Sequence, residues 1–258
     1  MPLRIACDLD GTVADMEAAL QREAEQLFGP GVVVRPSGTS HLESPVDPPS
    51  EPAERQGPPP PEATARQGVE ARPEVAAKKS KRSAGRRALS DRELRELWQH
   101  VATIENFWTT LTEIEPGSVA RIAALRSAHN LEVIFLTQRP DTAGETTQLQ
   151  TQRWLESHGF ELPAVFVLRG SRGKAAGALH IDVVLDDRPE NCLQVLTESK
   201  ARPILVWGDP PDTVPPGAKR LGIETVFSIG EALRRVEGLI TETPKTTFVK
   251  RLRNAIGI

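Results

Sequence analysis

Short apolar segments alternate with longer helical segments through the second half of the sequence. EVIFLT (132–137), AVFVL (164–168), IDVVLDD (181–187), PILVW (203–207) and IETVF (223–227) have the length and the side chains of buried strands. Stretches with helical spacing separate them, at 117–128, at 144–158, around Lys174 and at 189–199. Parallel strands that are buried on both faces need helices on both sides, so the alternation predicts an α/β fold with a Rossmann-like parallel sheet.

The N-terminal region adds one strand and two helices to this pattern. Residues 3–7 are apolar and predict a buried strand, and 14–28 carries apolar residues at helical spacing before Gly29 and Pro30. Ser90 and Glu93 form a capping box that predicts the start of another helix. The apolar face of that helix consists of Leu94, Leu97, Trp98 and Val101. We therefore expect ordered segments on both sides of an intervening segment whose composition is different.

That intervening segment, residues 35–88, is rich in proline and poor in large apolar side chains. Ten of the 22 prolines lie between Pro36 and Pro73, and 35–88 contains no Ile, Phe or Trp. Such a segment cannot bury enough apolar surface to offset its conformational entropy, so we predict a disordered insert. Its basic end is typical of a solvated linker; a weak contact with an anionic partner such as nucleic acid is the alternative.

Composition excludes several classes of protein. The 258 residues carry a net charge of -3, which does not suggest that the whole protein binds nucleic acid. The two cysteines, Cys7 and Cys192, are too few for a disulfide framework and lie in apolar segments, which predicts buried thiols. The sequence has no apolar window of about 18 residues and no secretory leader pattern. We therefore expect a cytoplasmic protein without a membrane span.

Polar residues stand where several of the predicted strands end. Asp8 and Asp10 follow the first strand, Thr137 ends IFLT, and Asp186 and Asp187 end IDVVL. An acid at the end of a strand is often only a helix cap or a turn former. In parallel sheets, however, the carboxyl ends of the strands meet at one edge, which is where ligands bind. We expect these side chains to form one site.

The predicted cluster of acids needs a positive partner. Two unit charges about 4 Å apart repel by about 4 kcal/mol at an effective dielectric constant near 20. Mg²⁺ prefers oxygen ligands, and together with Lys174 on the preceding short helix it would offset that repulsion. The same groups suit a phosphate, whose oxygens Lys174 and the Thr137 hydroxyl would hold. The pattern predicts a magnesium and phosphate site.

Four ordered motifs resemble the haloacid dehalogenase (HAD) superfamily. They are DLDGT (8–12), the threonine of IFLT, Lys174 and the pair Asp186–Asp187, and the match covers 3–28 and about 114–210. NFW (106–108), LTEIEPGSVARIAAL (111–125) and DDRPEN (186–191) resemble the 5′(3′)-deoxyribonucleotidase branch. The resemblance implies a HAD core over 1–13 and 114–240, a small helical cap over 14–34 and 89–113, and a C-terminal tail at 241–258.

The resemblance also implies roles for the motif residues. Asp8 would be the nucleophile that forms an aspartyl phosphate, and Asp10 would protonate the leaving oxygen and then activate water. Thr137 and Lys174 would bind the phosphoryl oxygens. Mg²⁺ would be held by Asp8, Asp187 and the backbone carbonyl of Asp10, with Asp186 in support. The expected activity is that of a Mg²⁺-dependent phosphomonoesterase.

The substrate has to be sought in the cap. The nucleotidase-like segments favour a small phosphorylated metabolite, a (deoxy)nucleoside monophosphate. Trp98, Phe107 and Trp108 either stack on its base or belong to the core, and Arg139 either approaches a second anionic group or faces solvent. The alternatives are a phosphatase for a sugar phosphate or a nucleic-acid end, and a non-enzymatic interaction protein on the same scaffold. The oligomeric state cannot be inferred from these patterns.

Overall fold

The computed structural model describes residues 2–34 and 86–242. Its six-stranded sheet has the order β5-β4-β1-β6-β7-β8, and every neighbouring pair is parallel. A separate two-stranded sheet consists of β2 and β3. The strands are β1 (Arg4–Asp8), β2 (Val32–Val33), β3 (Arg87–Ala88), β4 (Glu132–Thr137), β5 (Ala164–Val167), β6 (Val183–Asp186), β7 (Arg202–Val206) and β8 (Glu224–Val226). The predicted fold class, a parallel sheet flanked by helices, is confirmed.

Eight helices of the described residues accompany the strands. They are α1 (Met16–Phe28), α2 (Asp91–Thr103), α3 (Ser118–His129), α4 (Thr147–Ser157), α5 (Arg172–Ala178), α6 (Pro189–Glu198), α7 (Pro216–Arg220) and α8 (Ile229–Glu242). Short 3-10 turns lie at Phe107–Thr109 and Pro211–Thr213. No described helix combines the length and apolar character that crossing a membrane requires.

Both faces of the sheet are buried, as its apolar strands predict. Along β1, Ile5 and Cys7 belong to the larger apolar cluster, whereas Ala6 belongs to a second cluster. The larger cluster includes residues of α1, α2, α3, α4 and α8, and the second includes residues of α5 and α6. Because successive side chains of a strand point to opposite faces, this alternation puts helices on each side of the sheet.

The helices of the predicted cap, α1 and α2, pack against each other beside the sheet. Asp15 caps α1 by accepting a hydrogen bond from the backbone of Ala18. The capping box of Ser90 and Glu93 is present at the start of α2, as predicted. Hydrogen bonds from Arg87 and from Ser90 lower the pKa of Glu93 to about 2. These caps satisfy backbone N–H groups at both helix starts.

The predicted insert and tail lie largely outside the described residues. Only 86–88 of the insert and 241–242 of the tail are described, and Arg87–Ala88 forms β3, which pairs with Val32–Val33 of β2. The strands before and after the insert are therefore neighbours. Two-residue strands, like α7 and the 3-10 turns, are too short to leave a periodic signal in the sequence.

The register of the central strands fixes the candidate site. Asp8 of β1 pairs with Leu136 of β4, and Cys7 pairs with Leu185 of β6. Thr137 and Asp186 are each the next residue along their strands, so both stand beside the end of β1.

Candidate active site

Three carboxylates converge at the carboxyl edge of the sheet. Asp8 ends β1, Asp186 ends β6, and Asp187 follows directly. One oxygen of each lies within 4.8 Å of the others. Asp8 is 4% exposed and Asp186 is 0% exposed, while Asp187 is partly buried. The structure thus brings together the acids that the sequence pattern predicted at these strand ends.

The surroundings of the three acids disfavour their charged forms. Burial raises the pKa of Asp8 well above its usual range; Arg172 opposes this rise, and Asp186 and Asp187 add to it. Burial raises the pKa of Asp187 in the same way, and the charge of Asp186 raises it further. The pKa of Asp186 is also raised by burial, against the opposing charge of Arg172. The cluster therefore favours binding of a proton or a cation.

Arg172, on the first turn of α5, is the buried cation that contacts Asp8 and Asp186. Its Nη2 donates to Oδ1 of Asp8, and its Nε lies 3.1 Å from Oδ2 of Asp186. The side chain is 3% exposed, and neither Nε nor Nη1 has a hydrogen-bond partner among the described residues. Burial alone would lower the pKa of Arg172, but the charges of Asp8 and Asp186 outweigh it and raise the pKa. A buried guanidinium thus remains charged with donors to spare.

Lys174, the predicted phosphate-binding residue, is not brought to the acids. It is exposed on α5, where its backbone N–H bonds the capping hydroxyl of Ser171. Two residues along a helix correspond to a rotation of about 200°, so Arg172 and Lys174 lie on nearly opposite faces. α5 packs closely on α6: a Cβ on Gly173 would lie 2.1 Å from the carbonyl oxygen of Gln194. The basic residue at the site is the arginine of the SRGK segment, two positions before the one that the motif suggested.

Asp10 lies apart from the metal-type cluster and has partners of its own. Its Oδ2 accepts a hydrogen bond of 3.0 Å from the hydroxyl of Thr137. Its Oδ1 accepts one of 2.7 Å from Nη2 of Arg139, and Nε of Arg139 lies 3.0 Å from Oδ1 and 2.9 Å from Oδ2. Arg139 is buried and therefore does not face solvent, which was one of its two expected fates. Thr137 is fully buried at the position that the pattern predicted.

A glycine lets the chain pass close to Asp187. Gly11 has φ +85°, and a Cβ on it would lie 2.1 Å from Oδ2 of Asp187. The turn is held by the carbonyl of Leu9, which accepts hydrogen bonds from the backbone N–H groups of Thr12 and Val13. Glycine is required here both for the left-handed conformation and for the close approach.

The aromatic residues of the predicted cap are core residues in this structure. Trp98, Phe107 and Trp108 are 5%, 1% and 0% exposed. The indole Nε1 of Trp108 donates to the carbonyl of Pro140 at 2.9 Å, and the ring lies 4.9 Å from the guanidinium carbon of Arg139. A base cannot stack on rings that are enclosed in this way. Of the two expectations for these residues, the geometry supports core packing.

Asn191 lies in the site, although the sequence patterns predict no role for it. Its Nδ2 lies 3.0 Å and 3.1 Å from the two carboxylate oxygens of Asp186. The backbone N–H of Arg188 also donates to Asp186, at 2.9 Å. Asn191 is part of the DDRPEN segment, and α6 begins at Pro189, so the first turn of this helix carries it back over the strand end. Asp186 is thereby oriented by its neighbours, and its supporting role at a metal stays a prediction.

The donor set fits Mg²⁺. The three carboxylates outnumber the two cations beside them, Arg172 and Arg188, so the cluster would attract a further cation. Opposite ligands of Mg²⁺ are about 4.2 Å apart at Mg–O distances near 2.1 Å, and the three acids offer oxygens within 4.8 Å. The carboxylate of Asp10 binds Arg139 and Thr137 instead; its backbone carbonyl as a ligand stays a prediction.

Comparison with known proteins gives the fold but no closer relationship. No family model matches the chain, and no curated protein matches its sequence. A HAD family hydrolase from Deinococcus radiodurans R1, solved with bound phosphate and sodium, is similar with a TM-score of 0.50 and 16% identity, over 93% of this chain and 97% of that one. A HAD hydrolase of family IA, variant 3, from Entamoeba histolytica HM-1:IMSS has a TM-score of 0.38 and 10% identity, over 90% and 95% of the two chains. The first similarity identifies the fold of this chain as that of the HAD hydrolases.

Proposed function

We propose that this chain is a Mg²⁺-dependent phosphomonoesterase that works through an aspartyl phosphate on Asp8. The observation that carries the proposal is the contact of Asp8 with the buried guanidinium of Arg172, next to Asp187 and at the end of the central strand. A nucleophilic carboxylate with a cation and a metal-type acid beside it is what phosphoryl transfer requires.

The reaction divides into two displacements at phosphorus. An oxygen of Asp8 forms a bond to phosphorus while the bond to the leaving oxygen breaks, and Asp10 gives a proton to that oxygen. Water then forms a bond to phosphorus while the bond to Asp8 breaks, and a proton of the water passes to Asp10. The sum is a monoester and water converted to an alcohol and inorganic phosphate, with both aspartates restored.

Arg172 and Thr137 are the groups proposed to hold the phosphoryl oxygens. Arg172 has Nη1 and Nε without hydrogen-bond partners among the described residues, although its side chain is 3% exposed. Buried donors without partners are unfavourable, and a phosphate oxygen would satisfy Nη1 while Nε stays beside Asp186. The Thr137 hydroxyl lies at the neighbouring strand end, where it now donates to Asp10.

The metal would be held by Asp8, Asp187 and the carbonyl of Asp10, with Asp186 in support. When bound, Mg²⁺ would neutralise charge on the acids and on the phosphoryl oxygens. The protein contributes the geometry: Asn191 and the backbone N–H of Arg188 orient Asp186.

The proposed substrate is a (deoxy)nucleoside 5′-monophosphate. This part rests on the resemblance of LTEIEPGSVARIAAL and DDRPEN to the deoxyribonucleotidase branch, because the buried cap aromatics give no support to base stacking. A sugar phosphate or a 3′-phosphorylated nucleic-acid end is the alternative for the same chemistry.

A panel of phosphomonoesters tests the proposal. Phosphate release should occur with Mg²⁺, and kcat/KM should be highest for nucleoside monophosphates. The Asp8→Asn variant keeps the shape of the side chain and should be inactive on every substrate, and beryllium fluoride should bind the wild type but not the variant. An active Asp8→Asn protein would refute the chemistry. A panel led by sugar phosphates would refute only the substrate.

A further inference from the structure

We infer that Arg139 is a positioning residue that fixes the carboxylate of Asp10 for proton transfer to the leaving oxygen. The inference rests on the proposed function, in which Asp10 is the proton donor and acceptor. Arg139 lies two residues after β4, in a segment where its side chain had been expected either to meet a second anion or to face solvent.

Arg139 contacts the carboxylate of Asp10 through two nitrogens, both at hydrogen-bonding distance. Nη2 of Arg139 lies 2.7 Å from Oδ1 of Asp10, and Nε lies 3.0 Å and 2.9 Å from Oδ1 and Oδ2. A planar guanidinium that faces a carboxylate through two nitrogens fixes its plane as well as its place. The side chain of Arg139 is 0% exposed and that of Asp10 is 13% exposed. The ion pair is therefore almost fully enclosed, and only the Asp10 side has some exposure.

The guanidinium is itself immobilised from behind. Its Nη1 donates to the hydroxyl of Thr151 at 3.0 Å, and that hydroxyl donates to the carbonyl of Thr147 at 2.7 Å. The guanidinium carbon lies 4.9 Å from the ring centroid of Trp108. Trp108 is held in turn through its backbone N–H, which donates to Gln150 at 3.1 Å. α4 and the 3-10 turn at Phe107–Thr109 therefore support one arginine.

Arg139 is enclosed by the protein and does not face a substrate directly. Each of its three guanidinium nitrogens has a partner on Asp10 or Thr151, and the whole residue is 4% exposed. Burying a charge is unfavourable unless it is paired, so the carboxylate of Asp10 is what permits an arginine at this position. Arg139 acts on the reaction through Asp10.

The orientation distinguishes the two oxygens of Asp10. Oδ1 receives both nitrogens of Arg139, whereas Oδ2 receives Nε and the hydroxyl of Thr137. Thr137 is the hydroxyl proposed to meet the phosphoryl group, so Oδ2 is the oxygen of Asp10 beside it. With Arg139 in place, Oδ2 is kept next to the bond that breaks. Misplacement of a reacting group by about 1 Å can reduce a rate by about 100-fold.

The test compares leaving groups of different basicity. An alkoxide needs a proton as it departs, whereas p-nitrophenolate departs without one. Arg139→Met should lower kcat/KM by about 100-fold for the best alkyl phosphate of the panel but by less than about five-fold for p-nitrophenyl phosphate. Arg139→Lys should restore part of the loss. Arg153→Met, which removes an exposed arginine paired with Glu145 at 2.6 Å, is the matched control and should leave both values unchanged.

Other variants separate this role from a purely structural one. In an Asp10→Asn background, Arg139→Met should cause no further loss on the alkyl phosphate. If Arg139→Met does not fold, Thr151→Val removes the contact with Nη1 and should cause a smaller loss with the same dependence on the leaving group. Equal losses on both substrates would overturn the inference while leaving the phosphatase proposal intact. An active Asp8→Asn protein would overturn the proposal itself.

Discussion

The guanidinium of Arg172 donates to the carboxylate of Asp8 across 164 residues of sequence. The pair joins the first turn of α5 to the end of β1, and both side chains are almost fully buried. This contact holds the proposed nucleophile in place. During the reaction the same guanidinium would turn its remaining donors to the phosphoryl oxygens.

Replacing each of the two basic residues of α5 by methionine tests whether Arg172 or Lys174 binds the phosphoryl group. Arg172→Met should lower kcat by about 100-fold or more, because it removes a preorganised donor from the phosphoryl group. Lys174→Met should retain at least about half of the wild-type kcat, because Lys174 is exposed. Both are measured by phosphate release at saturating Mg²⁺, with circular dichroism as the check on folding. The reverse ranking would restore Lys174 as the phosphate ligand.

The buried acids predict that stability of the metal-free protein falls as pH rises. Burial raises the pKa of Asp8 and Asp187 well above their usual range, so above about pH 4 the native state binds more protons than the unfolded state. The free energy of unfolding then decreases with pH; this contribution is complete below about pH 4 and is lost as pH passes the raised values. Asp187→Asn should therefore raise Tm by about 3 °C or more at pH 8 and by less at pH 5.

That measurement is a thermal melt in the presence of a chelator. Asp209→Asn changes an exposed acid and should leave the pH dependence unaltered. If the Asp187→Asn variant had the same Tm as the wild type at pH 8, the electrostatic argument would be contradicted.

Removal of the metal should affect activity and stability together. EDTA should abolish phosphate release, and added Mg²⁺ should restore it. A ligand at 100 times its Kd stabilises the native state by about 2.7 kcal/mol, which is several degrees in Tm for a chain of this size. The shift should be absent in Asp187→Asn, which lacks one of the clustered oxygens. Full turnover in chelator would refute the metal requirement.

Replacing two glycines with similar backbone angles distinguishes the effect of backbone strain from that of a steric clash. Gly11 and Gly31 have φ of +85° and +90°, but only at Gly11 would a Cβ meet another atom within 4 Å. Each change to alanine should reduce the free energy of unfolding by about 1 kcal/mol through the left-handed conformation. Gly11→Ala should also abolish activity and Mg²⁺-induced stabilisation, because its methyl group displaces Asp187. Gly31→Ala should keep both, and a Gly11→Ala protein with normal activity would contradict the close approach.

The sequence was sufficient to predict the sheet, most of its helices and the acids at its edge, for a physical reason. Buried parallel strands leave uninterrupted apolar segments, and the residue that ends such a segment necessarily stands at the ligand-binding edge. That reasoning located Asp8, Thr137 and Asp186. This reasoning depends only on where the strands end, and the sequence pattern indicates those positions directly.

The surroundings of those residues could not be predicted in the same way. Whether Arg172 or Lys174 meets Asp8 depends on the rotational phase of a seven-residue helix, which carries too few apolar residues to fix it. The burial of Trp108 and Arg139 depends on contacts between α4 and a three-residue 3-10 turn. Tertiary packing decides both cases, and neither leaves a periodic signal.

Because β2 pairs with β3, we expect the predicted cap to tolerate an inserted domain. Paired strands lie about 5 Å apart, so Val32–Val33 and Arg87–Ala88 hold the two ends of the intervening segment close together. Closing a loop between fixed ends becomes harder only slowly with length, by about 0.6 kcal/mol for each doubling. A fluorescent protein or an affinity domain inserted between β2 and β3 should therefore leave the acids at the sheet edge undisturbed. Such an insertion would allow this protein to be followed in cells.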